Sequence, residues 1–305
     1  MADIENAVAT TTRRTTSEVI SCSRRTDIPA FFMPWIMEAI SREYVELQKP
    51  SGVVRVSLDP RRVKCFAWWS KDYSQWIAQW THEDICSLGL HTYAAHIFNF
   101  TINGECCTLE PNIRTSLDER LSQMSMLAQT FTPDAVILRF DPIVCYRDDR
   151  GREHDNTEYF ERIAQAAHDA GIGEIAIAFF IAYPKAVQRM RAANMTPVMP
   201  SLGAKHAIVA RLSEVAQRYG ITLRACCQPE LRLREMSCID GERINRLLAR
   251  VGAPALSATS RNKDRAQRKQ CHCTKSIDIG DYGQVFACRH SCLYCYANPV
   301  IATDQ

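Results

Sequence analysis

Two stretches, Ala95-His96-Ile97-Phe98-Asn99-Phe100 and Ile175-Ala176-Ile177-Ala178-Phe179-Phe180, decide the fold class. Both are nearly continuous apolar runs. A strand reads this way when both its faces are buried, as in a parallel sheet covered by helices. Four similar runs flank them: VISC at 19–22, CFAWW at 65–69, AVIL at 135–138 and ITLRAC at 221–226. Helical periodicity fills the intervals. Phe32, Ile36, Ile40 and Tyr44 share one face, and Leu121, Met124, Leu127 and Phe131 another. Phe160, Ile163 and Ala167 lie between a capping Asn156 and Gly171. Ile208, Leu212 and Val215 lie between Ser201 and Gly220, and Ile244, Leu247, Leu248 and Val251 form a further face. Strand and helix alternating over this length predict an α/β fold, either a TIM-like parallel β/α barrel, complete or partial, or a doubly wound sheet. Residues 53–58 form a spare strand suited to a local hairpin. The pattern divides the chain into a mobile extension at 1–17, the β/α unit at 18–252 and a C-terminal segment at 253–305.

Composition excludes several classes. The 305 residues are 46% hydrophobic and 23% charged, which rules out a disordered or collagen-like chain. A net charge of +3 is too small to announce a nucleic-acid binder. No apolar run approaches the ~18 residues of a membrane span. The first residues are Thr-rich, carry Asp3, Glu5, Arg13 and Arg14, and contain no apolar signal core, so a cytoplasmic protein is expected. In that compartment the 14 cysteines point to metal binding, redox work or burial rather than disulfides.

Polar groups gather where the runs end: Ser23-Arg24-Arg25-Thr26-Asp27, Ser70-Lys71-Asp72, Thr101-Ile102-Asn103, Arg139 with Asp141, and Cys226-Cys227-Gln228. Active sites of parallel α/β folds lie at the C-terminal ends of strands, which makes these groups candidates. Such ends also need polar groups simply to satisfy loops, and Arg139 with Asp141 equally suits a buried ion pair. The basic run at 261–269 reads as a solvated loop or a nucleic-acid contact.

The sharpest signal is Cys288-Arg289-His290-Ser291-Cys292-Leu293-Tyr294-Cys295-Tyr296-Ala297. Its C-x3-C-x2-C spacing lets three thiolates of one tight loop hold three irons of a [4Fe–4S] cluster and leaves the fourth iron open. A zinc site is the alternative: Cys271, Cys273, Cys292 and Cys295 could supply four thiolates, with His290 as a substitute. Cys226, Cys238, Cys271 and Cys273 form a second four-thiol set that could hold another cluster. Cys22, Cys65, Cys86, Cys106, Cys107, Cys145 and Cys227 read as structural.

The cysteine loop, with aromatic Tyr294 before its third cysteine, resembles the radical S-adenosylmethionine (SAM) superfamily, and Tyr-Cys-Tyr-Ala is similar to the branch containing spore photoproduct lyase. The whole chain from about 19 to 298 resembles the uncharacterised microbial family catalogued as domain of unknown function 1848. The residues that carry this likeness are SCSRRTDIPAF at 21–31, WSK at 69–71, EPN at 110–112, RFDP at 139–142, SCID at 237–240, CHC at 271–273, SIDIG at 276–280 and the cysteine loop. The first resemblance implies a SAM-cleaving enzyme. Cys288, Cys292 and Cys295 would hold the catalytic cluster and Tyr294 would contact adenine. Ser23, Arg24, Arg25 and Asp27 would bind SAM, while Lys71, Arg139 and Asp141 would face an unidentified substrate. A flavodoxin or ferredoxin would donate electrons. In the superfamily the cluster loop follows the first strand; here it comes last, which implies a circular permutation that sets the C-terminal segment beside residues 19–22. The superfamily's Gly-Gly-Glu segment has no counterpart, since the chain contains no Gly-Gly pair. A nucleic-acid-directed radical enzyme and a zinc-stabilised binding module are the competing functions.

Overall fold

The computed structural model describes residues 13–49, 52–82, 88–105 and 108–301. Each of the six apolar runs forms a strand: β1 (Val19–Cys22), β2 (Cys65–Ser70), β3 (Ala95–Thr101), β4 (Val136–Ile143), β5 (Glu174–Phe179) and β6 (Thr222–Ala225). A seventh, β7 (Ile277–Asp278), comes from the C-terminal segment. All pair in parallel in the order β6-β5-β4-β3-β2-β1-β7. The continuous apolar character has the expected cause: β1 is buried at every position, and β3 at every position but its last.

A closed TIM-like barrel is not formed among the described residues. The sheet has two edges, and neither is a template for the other. β7 is two residues long. The outer edge of β6 is taken up by its own following loop, where Ala225 N donates to Arg234 O (2.9 Å) and Met236 N donates to Ala225 O (2.9 Å). An edge covered in this way does not recruit another strand.

β7 lies where the C-terminal segment was expected. Ile277 pairs with Ile20 and Asp278 with Ser21. The join is reinforced by side chains: Asp278 Oδ2 accepts from Ser21 Oγ (3.0 Å) and from the backbone N of Arg24 (2.8 Å). Gly280 follows, pressed against β1's end. A Cβ added there would come within 1.9 Å of Ser23 Oγ. Gly280→Ala is therefore expected to cost about 1–3 kcal/mol through overpacking, read as a lowered urea midpoint. Ser23→Gly on the same background should recover part of it; an unchanged midpoint in the single variant would refute the close approach.

Helices run between the strands: Met33–Ser41, Ser74–His82, Leu117–Phe131, Phe160–Asp169, Pro184–Ala192, Leu202–Arg218 and Gly241–Arg250. Ser201 caps its helix as expected, and Ser116 with Glu119 forms a capping box at another. Three details differ from the periodicity reading. Asn156 caps no helix; its Oδ1 accepts from Val144 N and its Nδ2 donates to Pro142 O. Tyr44 leaves the helical face to open a strand, Tyr44–Lys49, paired antiparallel with Gly52–Ser57 as the expected hairpin. Val251 is past its helix and exposed. Of the expected N-terminal extension, Arg13–Thr15 pairs in parallel with Val54–Val56, and residues 1–12 lie outside the described residues. No helix among the described residues is long and apolar enough to cross a membrane.

The core is aromatic around β2 and β3. Trp76 and Trp80 stack at 5.5 Å on one helix face, and Trp76 meets Trp68 and Phe98 edge-on. His96 sits among them, bonded through Nδ1 to Trp68 Nε1 (3.0 Å). Burial pushes its pKa down to about 4, so it is a neutral core histidine.

Candidate metal and cofactor site

The C-terminal ends of the strands open into one cavity of about 590 Å³. The residues assigned to SAM, substrate or a cluster line it: Ser23, Arg24, Arg25, Asp27, Lys71, Arg139, Asp141, Tyr294, and the seven cysteines 226, 238, 271, 273, 288, 292 and 295; of the other strand-end candidates, Asp72, Ile102 and Asn103 do not. Residues more than 250 positions apart are brought together because β7 delivers the C-terminal segment to the edge of β1. Arg268, from the basic run, also faces the cavity.

The cysteine loop is held from several sides. Leu293 N donates to Leu109 O (3.0 Å), and Val300 N to Cys288 O (2.8 Å). Arg189 from helix Pro184–Ala192 donates through Nε to Leu293 O (3.3 Å) and through Nη2 to Cys295 O. Ala297 N points at Cys295 Sγ (3.3 Å), a backbone donor aimed at sulfur. Burial pushes the Cys288 thiol up to about 12 and raises Cys292 and Cys295 as well. Any metal bound through these thiols would have to displace their protons. Three thiols of one loop on the cavity wall, with a backbone donor to one sulfur, fit an iron–sulfur cluster in kind. Among the described residues, no group of three or more His, Cys, Asp or Glu side chains is placed so that it could hold a metal ion.

Asp27 has a different place from the one expected of a SAM ligand. Its Oδ1 accepts from Ala30 N (3.0 Å) and Ser70 Oγ (2.7 Å), and its Oδ2 accepts from Lys71 N (2.9 Å) and His290 Nε2 (2.8 Å). The carboxylate is spent on fastening the cysteine loop to the ends of β1 and β2. This bond engages His290 Nε2, while its buried Nδ1 has no hydrogen-bond partner among the described residues. Arg24 and Arg25 stay on the cavity wall. Arg25 Nη1 donates to Gly280 O (3.1 Å) and its guanidinium lies over the Tyr282 ring, while Arg24 lies over Trp69. Ser23 Oγ accepts from Arg25 N (2.9 Å).

Lys71 is paired. Its Nζ lies 2.7 Å from Glu110 Oε1, and the same oxygen accepts from Asn103 Nδ2 (3.0 Å) and the Tyr294 hydroxyl. Burial alone would raise the Glu110 pKa, but Lys71 and Tyr294 outweigh it and hold it below the usual carboxylate range. Tyr294 thus has a tethered hydroxyl, with the Lys71 ammonium 5.5 Å from its ring centre.

Arg139 and Asp141 form the ion pair that was the alternative reading, through Nη2 and Oδ2. Arg139 also reaches sulfur: Nη1 is 2.6 Å from Cys238 Sγ and 3.9 Å from Cys226 Sγ. It therefore faces the second cysteine set. Cys271 and Cys273 line the cavity with Cys226 and Cys238. Cys227, which reads as structural in the sequence, lines it too. Cys22 and Cys65 are buried as expected, Cys145 is half-buried, and Cys86, Cys106 and Cys107 lie outside the described residues.

Sequence reasoning missed the roles of Glu110, His290, Trp69 and Cys227. Glu110 stood in a quoted motif, but nothing local told that it would meet Lys71. Trp69 closes the apolar run at 65–69, which gave no sign of a place in the site. It lines the cavity with guanidinium groups of Arg24 and Arg139 each 5.4 Å from its ring.

Comparison with curated proteins gives no match. The profile of one family, described as a domain of unknown function (DUF1848), matches residues 19–297, from the start of β1 through the end of the cysteine loop. With nearly the whole described chain covered, and the cavity built from both ends of the matched span, the protein belongs to the DUF1848 family.

Proposed function

We propose that this protein is a radical SAM enzyme. One observation carries the reading: the C-x3-C-x2-C loop follows a strand, β7, that occupies an edge of a parallel sheet, and its three thiols line the cavity at the strands' C-terminal ends. In the superfamily that the loop resembles, the cluster loop follows the first strand. Placing β7 beside β1 supports a circularly permuted, partial β/α barrel with the loop in that same relation to the sheet.

Cys288, Cys292 and Cys295 would hold a [4Fe–4S] cluster, whose bound form supplies one electron to cleave the sulfonium of SAM. The chain's own part is to bind, orient and exclude water. Arg24 and Arg25 are the cations available to a carboxylate, for which a guanidinium fork is suited. Tyr294 and Trp69 offer aromatic surface to a base. Asp27, His290 and Arg189 keep the loop in place. The substrate is of unassigned class.

Protein purified without oxygen and reconstituted with iron and sulfide should give a reduced electron paramagnetic resonance signal that shifts when SAM is added. Cys292→Ala should abolish the shift. A signal indifferent to SAM, or zinc in place of iron at this loop, would overturn the reading.

A further inference from the structure

We propose that Cys226, Cys238, Cys271 and Cys273 hold a second iron–sulfur cluster on the wall of the same cavity, with Cys227 as a fifth, non-ligating thiol and Arg24 and Arg139 as fixed counter-charges. This goes beyond the reading above, because it stands whether or not the first loop binds SAM.

Three segments of chain converge to make the set. Cys226 and Cys227 end β6, Cys238 follows the loop that covers β6's edge, and Cys271 and Cys273 precede β7. Cys226 meets Cys238 at 3.9 Å, and Cys227, Cys271 and Cys273 line the same cavity with them. Five thiols on one cavity wall exceed what a packed core requires, because a buried cysteine is an ordinary small hydrophobe with no need of others.

The two arginines are the independent observation. Arg139 is 6% exposed, and a guanidinium does not shed its proton. Asp141 takes one side of it; the other side is aimed at Cys238 and Cys226. Arg24 lies across the Trp69 ring on the same cavity wall, and its buried Nη2 has no hydrogen-bond partner among the described residues. A neutral thiol is a weak acceptor, and burying a cation against it is costly. Against metal-bound thiolates the same cations are compensated. Hydrogen bonds to sulfur also tune the potential of an iron–sulfur centre.

The spacing separates a cluster from zinc. Structural zinc sites are closed and commonly use pairs separated by two to four residues. This set offers Cys271-x-Cys273 and the adjacent Cys226–Cys227, and it borders an open cavity. A [4Fe–4S] cluster takes four thiolates. Cys227 is the one to spare: it is half-buried, its backbone has φ +55° in the left-handed region, and neither arginine is hydrogen-bonded to it.

The test empties the first loop. The triple variant Cys288→Ala, Cys292→Ala, Cys295→Ala, reconstituted without oxygen, should retain about four irons and four sulfides per chain. Adding Cys238→Ala should remove nearly all of them, and adding Cys227→Ser instead should leave them. In that background Arg139→Gln should keep the iron but move the midpoint potential to more negative values, and Arg139→Lys should restore part of the shift. Should the triple variant not fold, the single variant Cys238→Ala gives the same answer: it should hold about four irons per chain fewer than the wild type. A triple variant without iron, zinc in its place, loss of iron with Cys227→Ser, a potential indifferent to Arg139, or a Cys238→Ala protein that keeps all the wild-type iron would each overturn the assignment. None of these results depends on turnover, so failure here is separate from failure of the SAM reading.

Discussion

Asp27→Ala is expected to destabilise the protein by about 3 kcal/mol and to loosen the cysteine loop. The side chain is buried and accepts from four donors on three separate pieces of chain. Alanine leaves the amides of Ala30 and Lys71 and the His290 ring without their acceptor, and each buried unpaired donor costs about 1–3 kcal/mol. Ser70 Oγ suffers least, since it also lies 2.7 Å from Asp72 O. Local relaxation keeps the total below the simple sum. The N-cap of the short helix Ile28–Phe31 is lost with it. Urea denaturation measures the stability, and limited proteolysis around residues 288–297 measures the loop. Asp27→Asn, which keeps an acceptor but places a second donor among donors, should fall between. A loss under about 1 kcal/mol would mean that the four bonds are not a working junction.

Glu110→Gln has the second largest expected effect. Glu110 is 2% exposed and Lys71 14%. Removing one partner of a buried pair strands the other charge, which costs about 3–5 kcal/mol when burial is complete. Lys71 keeps some contact with water, so about 3 kcal/mol is expected. The pair also sets an acid limb. The Glu110 pKa is lower folded than the ordinary 4.5, so its contribution is fully present above that value. It is lost as the pH falls below 4.5 and through the folded value. Wild-type stability should therefore drop steeply in acid, and Glu110→Gln should flatten that drop while lowering stability at neutral pH. Parallel curves for the two proteins would show that the Glu110 pKa is the same folded and unfolded. Tyr294→Phe, which removes a single hydroxyl donor, should cost only about 1 kcal/mol.

The strands most legible in the sequence were those buried on both faces, because VISC, CFAWW and AHIFNF carry their environment in their composition. β7 was not legible as a strand. Two residues cannot show a period, and one of them, Asp278, is polar because it bonds Ser21 and Arg24 rather than packing. The candidate site was legible as a set of residues but not as a set of pairs. Lys71 is a cation at a strand end in either case; that it meets Glu110 is decided by folding across 39 positions. Arg139 was read toward substrate because strand-end arginines often are, and its turn toward Cys238 comes from β6 lying two strands away in the same sheet. Cys227 escaped because neighbours in an extended chain point to opposite sides. Its left-handed backbone removes that alternation at one residue, and both residues line the cavity.

The pairing of β7 with β1 also sets an order of assembly. During synthesis, residues 19–22 emerge long before 277–278, and β1 spends that interval with one edge unclaimed. Neither half of the cavity can close until the end of the matched span has left the ribosome. Iron delivered early would meet Cys226, Cys227 and Cys238 without Cys271 and Cys273. A nascent chain arrested before residue 271 would hold the six earlier strands in a row with the cavity incomplete, so the proposed centres, if formed, would wait for the C-terminal segment.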